Sequence, residues 1–184
     1  LPPGSRPLSL LASPPIMPPA LLRFREDGTF TLVQLTDLHV RDGDDADVRT
    51  LRLVEDVLDL ERPDLVVFTG DVVGGDECRD PRAALRRALA PVEARGLPWA
   101  FAFGNHDDEG PASRLELFDV LKEHAGCLAE RGPEELPGAG HYAVRLLGSR
   151  GEGLAAALYV LDSGGANLAG IGDYEWFTGA QVGW

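Results

Sequence analysis

Three short apolar runs, each ending in side chains that bind metals or carry protons, constrain this chain more than any other feature. Leu32-Val33-Gln34-Leu35-Thr36 runs into Asp37-Leu38-His39. Leu65-Val66-Val67-Phe68-Thr69 runs into Gly70-Asp71, and Trp99 to Phe103 runs into Gly104-Asn105-His106-Asp107. Between the runs lie two amphipathic stretches. Val48 to Leu60 places Leu51, Val54, Val57 and Leu58 at helical spacing and is ended by Pro63. Pro81 to Arg95 does the same with Leu85, Leu89 and Val92, and Gly96 is its stop. A third helix, Ser113 to His124, opens on a capping box of Ser113 with Glu116. The order β-α-β-α-β-α predicts a parallel sheet with right-handed crossovers. In such open sheets, sites form at the carboxyl ends of strands, where all three polar clusters fall.

The flanking segments are less regular. Residues 1–21 contain seven of the 14 prolines. They read as extended and poorly ordered, because proline removes amide donors and blocks helix. Translation starting at Met17, the only methionine, is one reading of this segment. The folded domain is expected over 22–184. It opens with a hairpin, Leu22 and Phe24 facing Phe30 and Leu32 around the turn Glu26-Asp27-Gly28. His141 to Leu147 and Leu154 to Leu161 read as two strands joined by the glycine-rich turn 148–153, and Thr178 as a helix start.

With 17 basic against 30 acidic side chains, the formal charge is −13. That argues against binding nucleic acid or an anionic membrane surface. No stretch is long and apolar enough to span a bilayer, so the expectation is a soluble protein, cytoplasmic rather than secreted. Cys78 and Cys127 read as two unrelated thiols. The acidic loop Asp42 to Asp47 fails the calcium-loop pattern, since Ala46 and Asp47 sit where a ligand and the turn glycine belong. Trp99, Trp176 and Trp184 read as packing residues. His124, at a helix end, and His141, at a strand start, read as structural.

The chemistry concentrates at the strand ends. Oxygen and imidazole donors without thiolate suit Mn, Fe, Zn or Mg. Asp37 and His39 can face one point from an irregular loop. Asp71 follows a glycine that permits close backbone approach, and its two oxygens can bridge two cations. Asn105 offers a neutral carbonyl oxygen. His106 is the candidate acid, with Asp107 placed to orient or charge it. Taken singly, an aspartate after a strand also reads as a helix N-cap, and Asn105-His106-Asp107 as an Asx turn. All three clusters at consecutive strand ends are far more specific.

These motifs resemble the first three blocks of the calcineurin-like metallophosphoesterases. The phrases DGTFTLVQLTDLH, VLDLERPDLVVFTGD, RGLPWAFAFGNHDDE, LYVLDSGG and AQVGW resemble the purple-acid-phosphatase-like branch of plants and fungi. The resemblance implies a four-layer α/β/β/α sandwich and hydrolysis of phosphate esters at a dinuclear site of divalent or mixed-valence ions (Mn, Fe or Zn). By it, Asp37 and His39 ligate one metal, Asp71 bridges, and Asn105 ligates the second. Asn105 and His106 contact substrate, and His106 protonates the leaving group. Two features depart from that pattern. Gly74 stands where purple acid phosphatases carry a tyrosine ligand, and the later histidines, ending in Gly-His-x-His, are absent. The expectation is therefore an amino-terminal portion of a phosphoesterase. The alternative is a degenerate, non-catalytic domain that binds metal weakly or serves as an interaction module.

Overall fold

A computed structural model describes residues 21–167 and 172–184 of the chain. The proline-rich stretch thus lies outside the described residues, apart from Leu21. Three parallel strands, β1 (Leu32–Leu35), β2 (Leu65–Thr69) and β3 (Trp99–Ala102), form one sheet in the order β1-β2-β3. Leu32 pairs with Leu65 and Val66 with Trp99, so the three strands end nearly level. β2 is central and buried from Leu65 to Phe68, which explains its unbroken apolar run: a parallel strand covered on both faces has no polar side to show.

The connections are helical, as the periodicity predicts. α1 (Asp45–Glu61) follows β1, α2 (Pro81–Glu93) follows β2, and α3 (Arg114–Leu121) follows β3. α1 begins three residues earlier than its apolar spacing indicates. Asp44 caps it, accepting from the amides of Ala46 and Asp47. The acidic loop before it is consumed by backbone. Asp47 is buried and accepts from the amides of Arg41 and Gly43, and Asp42 accepts from Arg79. α3 shows the expected capping box but stops at Leu121. α2 lies between α1 and α3; its Arg82 pairs with Glu116 of α3 and its Arg86 with Glu123, just past the end of α3. Such exposed pairs are screened by solvent and contribute little to stability.

A second sheet is the antiparallel pair β4 (Tyr142–Leu147) and β5 (Leu154–Val160). The two sheets are joined by polar as well as apolar contact, for the Tyr142 hydroxyl donates to the Phe101 carbonyl (3.0 Å) and accepts from its amide (2.8 Å). Phe68, Trp99 and Phe101 are fully buried between the elements, with ring centroids about 6 Å apart, an ordinary spacing for tilted and edge-on aromatic pairs. This is the architecture of a partial α/β sandwich.

Two local expectations change. The turn at Asp27-Gly28 forms, closed by the Arg25 amide on the Thr29 carbonyl. Its arms, however, do not make a hairpin. Leu22 and Phe24 instead exchange backbone hydrogen bonds with Leu147 of β4. Trp99 is buried, but Trp176 and Trp184 are 57% and 50% exposed and so are not core residues. α4 (Gly179–Val182) starts at Thr178 as expected, with Gln181 completing its cap. Both cysteines are free, and burial pushes each thiol up to about 11, so neither is reactive near neutrality. No helix among the described residues is long and apolar enough to cross a membrane.

Candidate metal centre

The loops after β1 and β2 run side by side from the sheet edge. The Asp37 amide donates to the Gly70 carbonyl (3.1 Å), His39 to Asp71 (3.0 Å) and Val40 to Val72 (3.0 Å). This ladder holds Asp37, His39 and Asp71 together, and one ligand atom from each lies within 4.8 Å of the others. All three residues have left-handed backbone, with φ of 54°, 45° and 51°. For L-residues this conformation costs on the order of 1–2 kcal/mol each. The described chain has only one other such non-glycine residue, Arg62. Strained backbone of this kind clusters at functional sites, and here it lies under three side chains that meet at one point.

The loop after β3 closes the site, and two glycines allow it to do so. A Cβ on Gly70 would lie 2.5 Å from the Gly104 amide, and one on Gly104 would overlap the Asp71 carboxylate and amide. The His106 amide donates to Asp71 Oδ1 (2.9 Å), which fixes the carboxylate expected to bridge. The His106 ring stands 5.2 Å from the His39 ring. Asn105 sits on the same loop, half-buried, between Gly104 and His106.

Asp107 does not orient His106. Its carboxylate is buried and accepts three backbone amides, Asp71 (3.1 Å) and Gly104 (2.8 Å) on Oδ2 and Val73 (2.9 Å) on Oδ1. It staples the second loop to the third. Burial pushes its carboxyl up to about 6, against the pull of these amides. The partner of the His106 Nδ1 is Glu109, three residues on, and that hydrogen bond raises the imidazole above its ordinary range. Glu109 was legible only as part of an acidic run; which of its carboxylates turns back onto the ring depends on the loop's path.

A second residue that motif reasoning does not reach is Arg114, the first residue of α3. A cation there opposes the helix dipole, and the structure supplies the compensation. Its Nε donates to Asp108 (3.0 Å), Nη1 to Asp162, and Nη2 to the carbonyls of Gly104 (2.7 Å) and Gly164 (2.8 Å). His124 and His141 have structural partners, as expected. His124 lies beside Trp99 and Glu93, while His141 is buried, with Nε2 on the Pro137 carbonyl and Nδ1 facing the Asp162 amide.

The calcineurin-like phosphoesterase family model matches residues 30–177, most of the chain and all of this site. The chain belongs to this family. Among relatives it is similar to, a protein of Arabidopsis thaliana named probable inactive purple acid phosphatase 28 is 33% identical over 89% of the chain. The phosphatase DCR2 of Saccharomyces cerevisiae is 35% identical over 87% of it. An Arabidopsis protein named probable inactive purple acid phosphatase 29 is 28% identical over 89%. The calcineurin-like chain spans about half of the two plant proteins, 49% and 48%, and 31% of the yeast one.

The donor set fits a divalent ion: two carboxylates and an imidazole, with no thiolate, suit the hard and borderline cations of this family. Asp37, His39 and Asp71 provide three donors for one ion.

Proposed function

We propose that this protein is a metal-dependent phosphoesterase. In this reading Asp37 and His39 hold one ion, Asp71 bridges, Asn105 contributes to a second, and His106 is the general acid. The observation that carries it is the convergence of Asp37, His39 and Asp71 on one point, each from strained backbone at a strand end. A pair of bound ions supplies charge neutralisation for the attacking and leaving oxygens of an in-line phosphoryl displacement. The chain's own residues do the rest. Asn105 and His106 face the ester from one loop, and His106 delivers a proton to the leaving oxygen. The hydrogen bond that the His106 ring donates to Glu109 keeps the imidazole protonated to higher pH than a free one.

Asp71→Asn tests the bridging role. In the full-length protein, elemental analysis should give two ions per domain, and the variant should lose occupancy at both positions together. Full two-ion occupancy in Asp71→Asn defeats the assignment.

Glu109→Gln tests the acid. Since the Glu109 carboxylate raises the His106 pKa, the protonated form persists to higher pH in the native protein and is lost as pH rises through that value. Removing the charge should move the basic limb of the pH–rate profile to lower pH, with the acidic limb unchanged. An unmoved basic limb means that another group sets it.

A second reading, a domain that binds metal without turning over, is supported by the similarity to two plant proteins named probable inactive purple acid phosphatases. Metal uptake with no hydrolysis of any phosphate monoester or diester by the full-length protein would establish it.

A further inference from the structure

We propose that Arg114 is the positioning residue of the reaction: it clamps the loop that carries Asn105 and His106 by holding both of its ends. The inference rests on the phosphoesterase reading. The loop leaves β3 at Gly104 and turns back through Asp107 and Asp108 toward α3. Arg114 donates to the Gly104 carbonyl, immediately before Asn105, and to the Asp108 carboxylate, two residues after His106. The guanidinium lies 5.7 Å from the centroid of the Phe103 ring, the last residue before the loop. One rigid, planar group therefore fixes the span across which the ligand and the acid are suspended.

The clamp is itself anchored. Arg114 and Asp162 are both buried. The second oxygen of Asp162 accepts the Ala139 amide (2.7 Å), and the first also accepts the Gly164 amide (2.9 Å). The Asp162 carbonyl accepts from Gln181 of α4 (2.7 Å). A buried pair is weak evidence for stability, because desolvating two charges offsets most of their attraction. The five-donor fork of Arg114, however, reaches four acceptors on two segments, 104–108 and 162–164, which an ammonium with three donors cannot do. Asp107 staples the loop's floor to Asp71, and Arg114 spans its ends. Between these two holds lie Asn105 and His106. Misplacement of an acid by about 1 Å is enough to cost about 10²-fold in rate.

The experiment compares Arg114→Lys with Asp108→Asn in the full-length protein. Lysine keeps a charge beside Asp162 but loses the fork. Asp108→Asn removes the charge from the hydrogen bond at one end of the loop and leaves the buried pair intact, so it serves if the lysine variant does not fold. The first readout is amide hydrogen exchange without metal. The amides of Asp71, Val73, Gly104 and His106 should exchange about tenfold faster, the loss of one charge-assisted hydrogen bond, while those of β2 and α2 keep their rates. The second readout is turnover of an alkyl phosphate against nitrophenyl phosphate. The loss should be larger for the alkyl ester, which needs the proton, with KM little changed.

Uniformly faster exchange, or equal losses on both esters, would reduce Arg114 to a structural residue and overturn the proposal. Unchanged exchange and turnover in both variants would overturn it too. If instead His106→Ala shows no leaving-group dependence, the general-acid reading fails, and the exchange data still decide whether the clamp exists.

Discussion

Asp107→Ala will be severely destabilised. The carboxylate is buried and accepts the amides of Asp71, Val73 and Gly104. Alanine removes the acceptor of all three. At roughly 1–2 kcal/mol for each unmet buried donor the loss is about 3–6 kcal/mol, comparable with the whole stability of many domains, about 5–15 kcal/mol. Asp107→Asn will fall between. Its single carbonyl oxygen can take the place of Oδ2 and keep two amides, but its amino group then confronts the Val73 amide, donor against donor. Urea unfolding of the three proteins gives the order Asp, Asn, Ala. A variant of native stability that has lost only turnover would return Asp107 to a role in orienting His106.

His106→Ala will slow hydrolysis of alkyl phosphates by about 10²–10⁴-fold in the full-length protein, the usual contribution of a positioned general acid. Hydrolysis of nitrophenyl phosphate will fall far less, because nitrophenolate departs without a proton. Metal content should not change, since His106 is not among the three residues whose donor atoms cluster. The contrast between the two esters isolates proton delivery from binding. Equal losses would mean that the ring only shapes the site, through its place beside His39.

Much of this molecule is legible in its sequence. The runs of β2 and β3 are continuous because those strands are covered on both faces, whereas β1, with Leu32 and Gln34 exposed, is buried on one face only and still pairs in register with β2. The helices between them follow from spacing, and their starts from Ser113 and Thr178, whose side chains cap the backbone locally. Local hydrogen bonds and periodicity involve neighbours in sequence, so a sequence can display them. The same holds for the site's location: polar clusters directly after parallel strands must lie at one sheet edge, and Asp37, His39 and Asp71 do meet there.

What tertiary structure alone decides is which side chain serves which partner. Asp107 and Glu109 are both acids near His106, yet one accepts three amides and the other holds the imidazole. Their roles are set by the path of the loop, which Gly70 and Gly104 permit by letting two backbones touch. The segment Leu22–Phe24 pairs with Leu147, more than a hundred residues away, rather than with its neighbour across the turn. The left-handed backbone at Asp37, His39 and Asp71 leaves no mark on composition or spacing, because nothing in those residues demands it. It is imposed by the ladder between adjacent loops. Arg114 is the sharpest case: at the start of a helix it opposes the local dipole, and only Asp108, Asp162 and two carbonyls brought in from elsewhere account for it. Partners distant in sequence are chosen by the fold, so the strands and the ligand cluster are written in the chain, while the hydrogen bonds that hold and tune that cluster exist only once it has folded.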